Sequence, residues 1–486
     1  MSDEKPNILL ILADEHRADC LRAYGNEEIE TPTLDFLADN GVVFDQAFCS
    51  SPLCAPSRYS ILTGLYPHQH LGWDNGSSIP TDVPTFPRVL QAHGYRTQAI
   101  GKMHLTPTYM DVGFDAMTLA EQNGMGRFED DYHRYLREHD LIDYVDLIDQ
   151  VDMFRQRASK RYWDSFGSEE SNLPEWAHST AWIGRTAVEH VAQWRGGGNF
   201  LMLSFVKPHH PFDPPYPWSM MYNPDRLTLL PGWTETNSAA DLHFHSGFFP
   251  HKKLTENALK AVMAMYYASI SHVDFYIGEV LETLKKKGLY DNTLIIYTSD
   301  HGEYMGFHHL LLKENHMYDP VVRIPLIMKP LYQTSRPTRN DQLVSNIDLA
   351  NTILGHVGME PMPYSNGSNL LDKFPSREYI VAEELSGRQY MVRTANLKLI
   401  LRRDAKNNML FDLRKDPMET HNVYDESYYG NDRRKLKNYL SQHFLFECPS
   451  TPYHVNEPMT ELRLTQVRET LRWTEEKFTQ FSTSNR

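Results

Sequence analysis

The chain has 486 residues, 41% of them apolar and 23% charged, enough to bury a large core divided between one big domain and a smaller one. A net charge of −15 argues against nucleic acid as a partner, because phosphates need a basic face, and makes a long polysulfated chain a poor match without a local basic pocket. Four cysteines (Cys20, Cys49, Cys54, Cys448) are too few for a disulfide framework, and no apolar run has the length of a membrane span.

The opening Met1-Ser2-Asp3-Glu4-Lys5-Pro6 lacks the basic stretch and apolar core of a secretory leader, so a cytoplasmic protein is expected. Asn7 to Ala13 follows as a near-continuous apolar run, the pattern of a strand buried on both faces. Tyr95 to Ile100, Phe200 to Val206 and Thr293 to Ser299 read the same way, and Gly196-Gly197-Gly198 marks the turn before the third of the four. Helical patterns lie between them. The clearest carries Val262, Tyr266, Ile270, Val273, Ile277, Val280 and Leu284 on one face, ends in three lysines that suit its negative pole, and stops at Gly288. This alternation predicts an α/β fold with a large, mostly parallel sheet sandwiched by helices.

Residues from about 122 to 175 break the alternation. They are rich in acids and aromatics and read equally well as a solvated excursion or as a lid at the mouth of a site. Beyond about residue 370, Glu378 to Glu383, Tyr390 to Thr394 and Leu397 to Leu401 are short strands at hairpin spacing, predicting a small antiparallel sheet with one or two helices. Glu461 to Phe478 places Leu464, Val467, Leu471 and Phe478 at helical spacing, on a tail that could pack on its own domain or join another subunit as a homo-oligomer contact. The expected division is therefore 1–370, 371–450 and 451–486.

Ligands in open α/β sheets bind beyond the carboxyl ends of the strands. The first strand ends in Asp14-Glu15-His16-Arg17 and the last of the four in Asp300-His301-Gly302-Glu303. Two acidic clusters at two strand ends would repel each other unless a cation lies between them, and oxygen-rich ligands suit a hard divalent ion. Taken alone, an Asp-Glu pair after a strand is more often a helix cap and first-turn acid. His243, His245 and His251 fit no standard zinc spacing and read as a loop.

Cys54-Ala55-Pro56-Ser57-Arg58, followed by Leu62-Thr63-Gly64, resembles the C-x-P-S-R-x-x-x-L-T-G signature of the type I sulfatases. A lone cysteine beside a proline turn would read as a buried structural thiol, but five residue types at set spacing do not. The resemblance implies an alkaline phosphatase-like fold. It also implies that a formylglycine-generating maturation enzyme oxidises Cys54 to an aldehyde. The hydrate of that aldehyde attacks a sulfate monoester, forms a covalent sulfo-enzyme and then expels inorganic sulfate.

By the same resemblance Asp14, Glu15, Asp300 and His301 hold one divalent cation, calcium in the first place and magnesium or manganese after it. The family usually carries Asp or Gln where this chain has Glu15, whose longer arm alters the geometry. Gly101-Lys102-Met103-His104 is similar to the family's Gly-Lys-x-His, in which Lys102 would bind sulfate and His104 handle the hydrate. Lys207-Pro208-His209-His210-Pro211-Phe212 looks like the K/R-P-H-x-P-F element, pointing to His209 as the acid for the leaving oxygen, with His210 second. Lys313 stands where a second sulfate-binding lysine is placed, and Arg58 is similar to the arginine that steadies the formylglycine. Leu410-Phe411-Asp412-Leu413, with Asp416-Pro417-Met418-Glu419 and Asn422-Val423, resembles the family's C-terminal subdomain.

The implied substrate is a small sulfated sugar, aryl or metabolite ester, with His70, Trp73 and Asn75 as candidate contacts. A phosphonate monoester or phosphodiester hydrolase of the same superfamily is the first alternative. That branch tends to replace the Lys and His of the Gly-Lys-x-His element with hydroxyl residues, whereas this chain keeps Lys102 and His104, which favours sulfate. A catalytically silent binding protein of the same fold is the second alternative.

Overall fold

The computed structural model describes residues 5–237, 241, 249–313, 316–331, 338–371, 377–384, 387–451 and 461–484. Its main strands are β1 (Asn7–Asp14), β2 (Val42–Phe48), β3 (Arg96–Gly101), β4 (Ala116–Leu119), β5 (Asn199–Pro208), β6 (Thr293–Thr298), β7 (Leu326–Lys329) and β8 (Thr338–Ser345). They form one sheet in the order β4-β3-β5-β1-β6-β7-β2-β8. All neighbours run parallel except β7, which is antiparallel to both β6 and β2. The four strands legible in the sequence, β3, β5, β1 and β6, are consecutive in that order, so their carboxyl ends share one edge.

Side chains of β1 alternate between two cores, as a strand covered on both faces must. Ile8, Leu10 and Leu12 pack with Tyr59, Ile61, Leu62, Phe86, Leu90, Leu349 and Ile353. Leu9, Ile11 and Ala13 pack with Ile183 and Val191 of the helix Ser179–Ala192 and with Val273, Ile277, Val280 and Leu284 of the helix Glu256–Lys286. Each such apolar side chain contributes about 1.5–3 kcal/mol by leaving water. The long helix starts where Thr255 accepts a hydrogen bond from the Ala258 N–H, and it carries the apolar stripe read from its sequence.

A second, antiparallel sheet holds β9 (Ile380–Glu384), β10 (Gln389–Arg393), β11 (Leu397–Arg402) and β12 (Met409–Asp412) in the order β12-β11-β10-β9. One face takes Leu436 and Leu440 of the helix Gly430–Gln442 onto Val381, Val392, Leu399 and Leu410. The other face, with Ala382, Met391, Ile400 and Phe411, continues the core of the main sheet. The two sheets thus share buried surface.

The stretch 122–175 folds into the short helices Asp131–Glu138, Tyr144–Gln150, Asp152–Arg155 and Lys160–Asp164. Leu147, Ile148, Phe154, Tyr162 and Phe166 bury themselves there against Leu259, Val262 and Tyr266 of the long helix, so it is not a solvated excursion. The tail helix Glu461–Ser484 packs on this stretch of its own chain. Phe478 is fully buried, with its ring 4.8 Å from that of Tyr144 and 4.7 Å from that of Phe154. Among the described residues, no helix is long and apolar enough to cross a membrane. Cys20, Cys49, Cys54 and Cys448 are free and buried.

Candidate active site

Cys54 is the first residue of the helix Cys54–Thr63, which ends at Gly64 in the left-handed conformation. Its sulfur is fully buried, 3.1 Å from Nε2 of His301 and 3.7 Å from Oδ1 of Asp14. A helix N-terminus presents free N–H groups and the positive end of the dipole, which favours an anion at this position. One turn on, Arg58 points back beneath the cysteine. Its Nε donates to Asp300 Oδ2 at 2.7 Å, its Nη2 to Asp14 Oδ2 at 2.9 Å and its Nη1 to the Lys102 carbonyl at 2.5 Å. The planar guanidinium holds these two carboxylates and the carbonyl in one fixed fork of donors.

Asp14 ends β1, Asp300 and His301 follow β6, and all three are fully buried. Their ligand atoms and the Cys54 sulfur lie within 4.8 Å of one another. The donor set fits a hard divalent cation, with two carboxylates and one imidazole whose Nδ1 is 2.9 Å from the Gly302 carbonyl, leaving Nε2 as an acceptor. The electrostatics agree. Burial alone would strip the proton from His301, yet Asp300 and Cys54 raise it to about 9, the response of a site that attracts positive charge. Burial pushes Asp14 up, and Lys102, His209, Arg58 and Lys313 outweigh it, holding this carboxyl well below its ordinary range. Glu15, the fourth expected metal ligand, is turned instead to a neighbouring group with His209 and His210. Its Oε2 is 2.7 Å from Lys313 Nζ and 3.2 Å from His209 Nε2.

The segment after β3 brings in Lys102 and His104. Gly101 has φ +95°, and a Cβ there would sit 1.9 Å from the Ser204 carbonyl, so only glycine lets the strand turn at this point. Lys102 Nζ pairs with Asp14 Oδ2 at 2.7 Å. His104, at φ +56°, is held by Glu121, whose Oε1 accepts its N–H at 2.9 Å. Burial and the neighbouring Lys102 lower the His104 ring to about 3, so it stays neutral, and its Nδ1 has no hydrogen-bond partner among the described residues.

After β5, His209 turns its Nε2 to Lys313 and Glu15, while its Nδ1 is 2.6 Å from the His210 carbonyl. Burial together with Lys313 and Lys102 keeps this ring neutral too. His210 faces away, paired through Nδ1 with Asp149 Oδ1 at 2.5 Å. All ten residues expected from the sequence are buried. Cys54, Arg58, Lys102, Asp14, Asp300 and His301 form one contact network, and His209, Lys313 and Glu15 adjoin it.

Several neighbours were not legible beforehand. Glu303, pushed well up by burial and by Glu15, is kept protonated beside that carboxylate. Gln122 links the 122–175 stretch to the site, with its Oε1 3.4 Å from Lys102 Nζ and its Nε2 donating to Asp146 and to the His210 carbonyl. The signal for Asp146 and Asp149 was only an acid-rich segment. One expected contact is corrected. His70 is fully buried, with Nε2 3.0 Å from Ser60 Oγ and Nδ1 accepting the Gly72 N–H, so it serves the local turn and not a substrate. Asn75 Oδ1 accepts the Ala55 N–H at 3.1 Å, beside the start of the cysteine helix. His251 is buried in a short turn, and His243 and His245 lie outside the described residues.

A sulfatase family model matches residues 6–359, and the C-terminal model of N-sulphoglucosamine sulphohydrolase matches 306–444. The chain belongs to the sulfatase family. It is 31% identical over 459 residues to an arylsulfatase of Clostridium perfringens, covering 87% of this chain and 91% of that protein. It is 26% identical over 483 residues to an N-acetylglucosamine-6-O-sulfatase of Bacteroides thetaiotaomicron, covering 90% and 86%. Among solved structures, the phosphonate monoester hydrolase of Agrobacterium radiobacter superposes with a TM-score of 0.75 at 24% identity, covering 90% of this chain and 96% of that one. A protein solved with its substrate D-glucosamine-2-N,6-O-disulfate superposes with a TM-score of 0.68 at 22% identity, covering 90% and 97%. The fold is that of these enzymes, and this sulfatase is a hydrolase of sulfate esters.

Proposed function

We propose that this sulfatase cleaves a sulfate monoester of a small sulfated sugar to alcohol and inorganic sulfate, using a formylglycine made from Cys54 by a maturation enzyme and passing through a covalent sulfo-enzyme. The observation that carries it is the convergence of four strand ends on one buried cysteine at a helix N-terminus. The hydrate of the aldehyde would supply one hydroxyl to attack and a second to release the sulfate. A divalent cation held by Asp14, Asp300 and His301, calcium in the first place, would polarise the sulfate.

The chain's own residues supply the rest. Lys102 and Lys313 are fixed cations that meet the charge gathering on sulfate oxygens, and being held in advance they cost no reorganisation as it develops. Arg58 holds Asp14 and Asp300 in place under the nucleophile. His209 would act as the acid for the leaving oxygen only in its protonated form, its Nε2 taking up a proton from the neighbouring Lys313 ammonium, and the neutral His104 is placed to take one from the hydrate. The superposition on phosphonate monoester hydrolases favours a second reading, phosphonate monoester hydrolysis, but retention of Lys102 and His104 supports sulfate.

Peptide mass spectrometry of protein made beside a formylglycine-generating enzyme tests the first point, because the Cys54 fragment should be lighter than its cysteine form. Fully active enzyme holding only unmodified Cys54 would overturn the mechanism. A panel of sugar and aryl sulfates against one phosphonate monoester tests the second, with higher kcat/KM on the phosphonate deciding for the alternative.

A further inference from the structure

His68, Glu383 and His443 come from three distant parts of the chain and place ligand atoms within 4.8 Å of one another. His68 lies in the turn Pro67–His70 after the cysteine helix, Glu383 in β9, and His443 just beyond the helix Gly430–Gln442. The whole ten-residue helix Cys54–Thr63, about 15 Å long, separates His68 from Cys54 in the chain.

The hydrogen bonds pose a question that the pair His68 and Glu383 answers only in part. His68 Nε2 is 2.6 Å from the Cys448 carbonyl, which can only accept, so this nitrogen carries hydrogen. That leaves Nδ1 as a lone pair in the neutral ring, 2.6 Å from Glu383 Oε1, itself an acceptor on a fully buried carboxylate. Two facing acceptors require a cation between them. A proton would suffice for the pair, but it does not explain His443. This ring is 3% exposed, and its Nε2 has no hydrogen-bond partner among the described residues.

We propose that His68, Glu383 and His443 form a zinc site that ties the C-terminal sheet to the far end of the cysteine helix. Two imidazoles and one carboxylate are a donor set of borderline softness that suits zinc, whereas calcium takes six to eight oxygens. The supporting shell is present. The Cys448 carbonyl fixes the His68 tautomer, and Glu383 Oε2 accepts the His68 N–H at 3.1 Å. A cavity of about 600 Å³ lined by Tyr66, Arg377, His443 and Cys448 gives an entry path and room for water as a further ligand. Because the three ligands meet only in the folded chain, binding would stabilise the native state and not the unfolded one.

The test uses the full chain with Cys54→Ser, which takes the thiol out of the catalytic cluster. Zinc per chain after desalting, and the zinc-dependent rise in Tm, are compared in this background and after adding Asp14→Ala, His443→Ala or Glu383→Gln. His443→Ala and Glu383→Gln should each hold one zinc fewer than the background and lose the rise in Tm, while Asp14→Ala keeps both the zinc of this site and the rise. Glu383→Gln preserves side-chain shape and stands in if His443→Ala fails to fold. Equal zinc content with and without His443 and Glu383, or complete loss of zinc on Asp14→Ala alone, overturns the site.

Discussion

Two buried charge networks in this sulfatase look alike and do different work. Between the sheets, Lys398 is fully buried and pairs with Asp319 at 2.8 Å and Glu419 at 2.7 Å, while Arg393 takes the other oxygen of Asp319 at 3.0 Å. At the strand ends, Arg58 and Lys102 pair as closely with Asp14 and Asp300. Lys398 sits inside β11, where the strand commits its side chain to one neighbour surface. The proposed catalytic residues come instead from the carboxyl ends of β1, β3, β5 and β6 and from the helix that follows β2, where the chain leaves the ladder and can aim several groups at one atom. There Lys102 and Lys313 stand beside histidines that burial keeps neutral, His104 and His209. Buried ion pairs alone therefore do not mark a site. Convergence on a nucleophile, with proton carriers held neutral, does.

The largest effect that would break this contrast is at the nucleophile. Cys54→Ala is expected to reduce turnover to background, a loss of up to about 10⁶-fold for a covalent nucleophile. Lys398→Met should leave kcat within about twofold but cost about 3–5 kcal/mol, because Glu419 is left buried without the cation that pairs with it, while Asp319 keeps Arg393. Steady-state kinetics and urea unfolding measure both, and a large kcat loss in Lys398→Met would merge the two networks. Asp14→Ala and Asp300→Ala should next remove bound metal and activity together, read by elemental analysis beside kinetics. Full metal content in either variant takes that residue out of the ligand set.

His209→Ala sharpens the role of the neutral rings. It should slow poor leaving groups by about 10²–10⁴-fold and a nitrophenyl ester far less, since nitrophenolate departs without a proton. Losses of equal size on both esters would move the role to His210. His104→Ala should slow release of sulfate whatever the alcohol, so that the sulfo-enzyme accumulates and is seen by intact mass.

The smallest effect concerns a buried acid in neither network. Burial raises Asp274 to about 7, although it accepts the N–H groups of Thr33 at 3.0 Å and Leu34 at 2.8 Å. Its folded value lies above its unfolded one, so between them the folded state binds more protons and stability falls as pH rises. Asp274→Asn should flatten the decline in unfolding midpoint between about pH 4 and pH 7. An unchanged slope would show that Asp274 is already ionised across that range.

The sequence alone determined the strands that build the site, because β1, β3, β5 and β6 are buried on both faces and read as unbroken apolar runs. It also determined the cysteine motif, since the spacing of Cys54, Pro56, Ser57 and Arg58 lies within one helical turn and needs no tertiary information. Edge strands β4 and β8 and the antiparallel β7 escaped notice, being short or half-exposed and without that pattern. The helices between residues 131 and 164 are four to eight residues long, too short for their apolar positions to repeat, so a packed layer read as irregular. Only the tertiary structure decided that Glu15 turns to Lys313 and His209, that Asp149 holds His210, that His70 is spent on its own turn, and that the tail helix closes on Tyr144 and Phe154. Each of these depends on a partner tens to hundreds of residues away or on a backbone angle, and sequence spacing records neither.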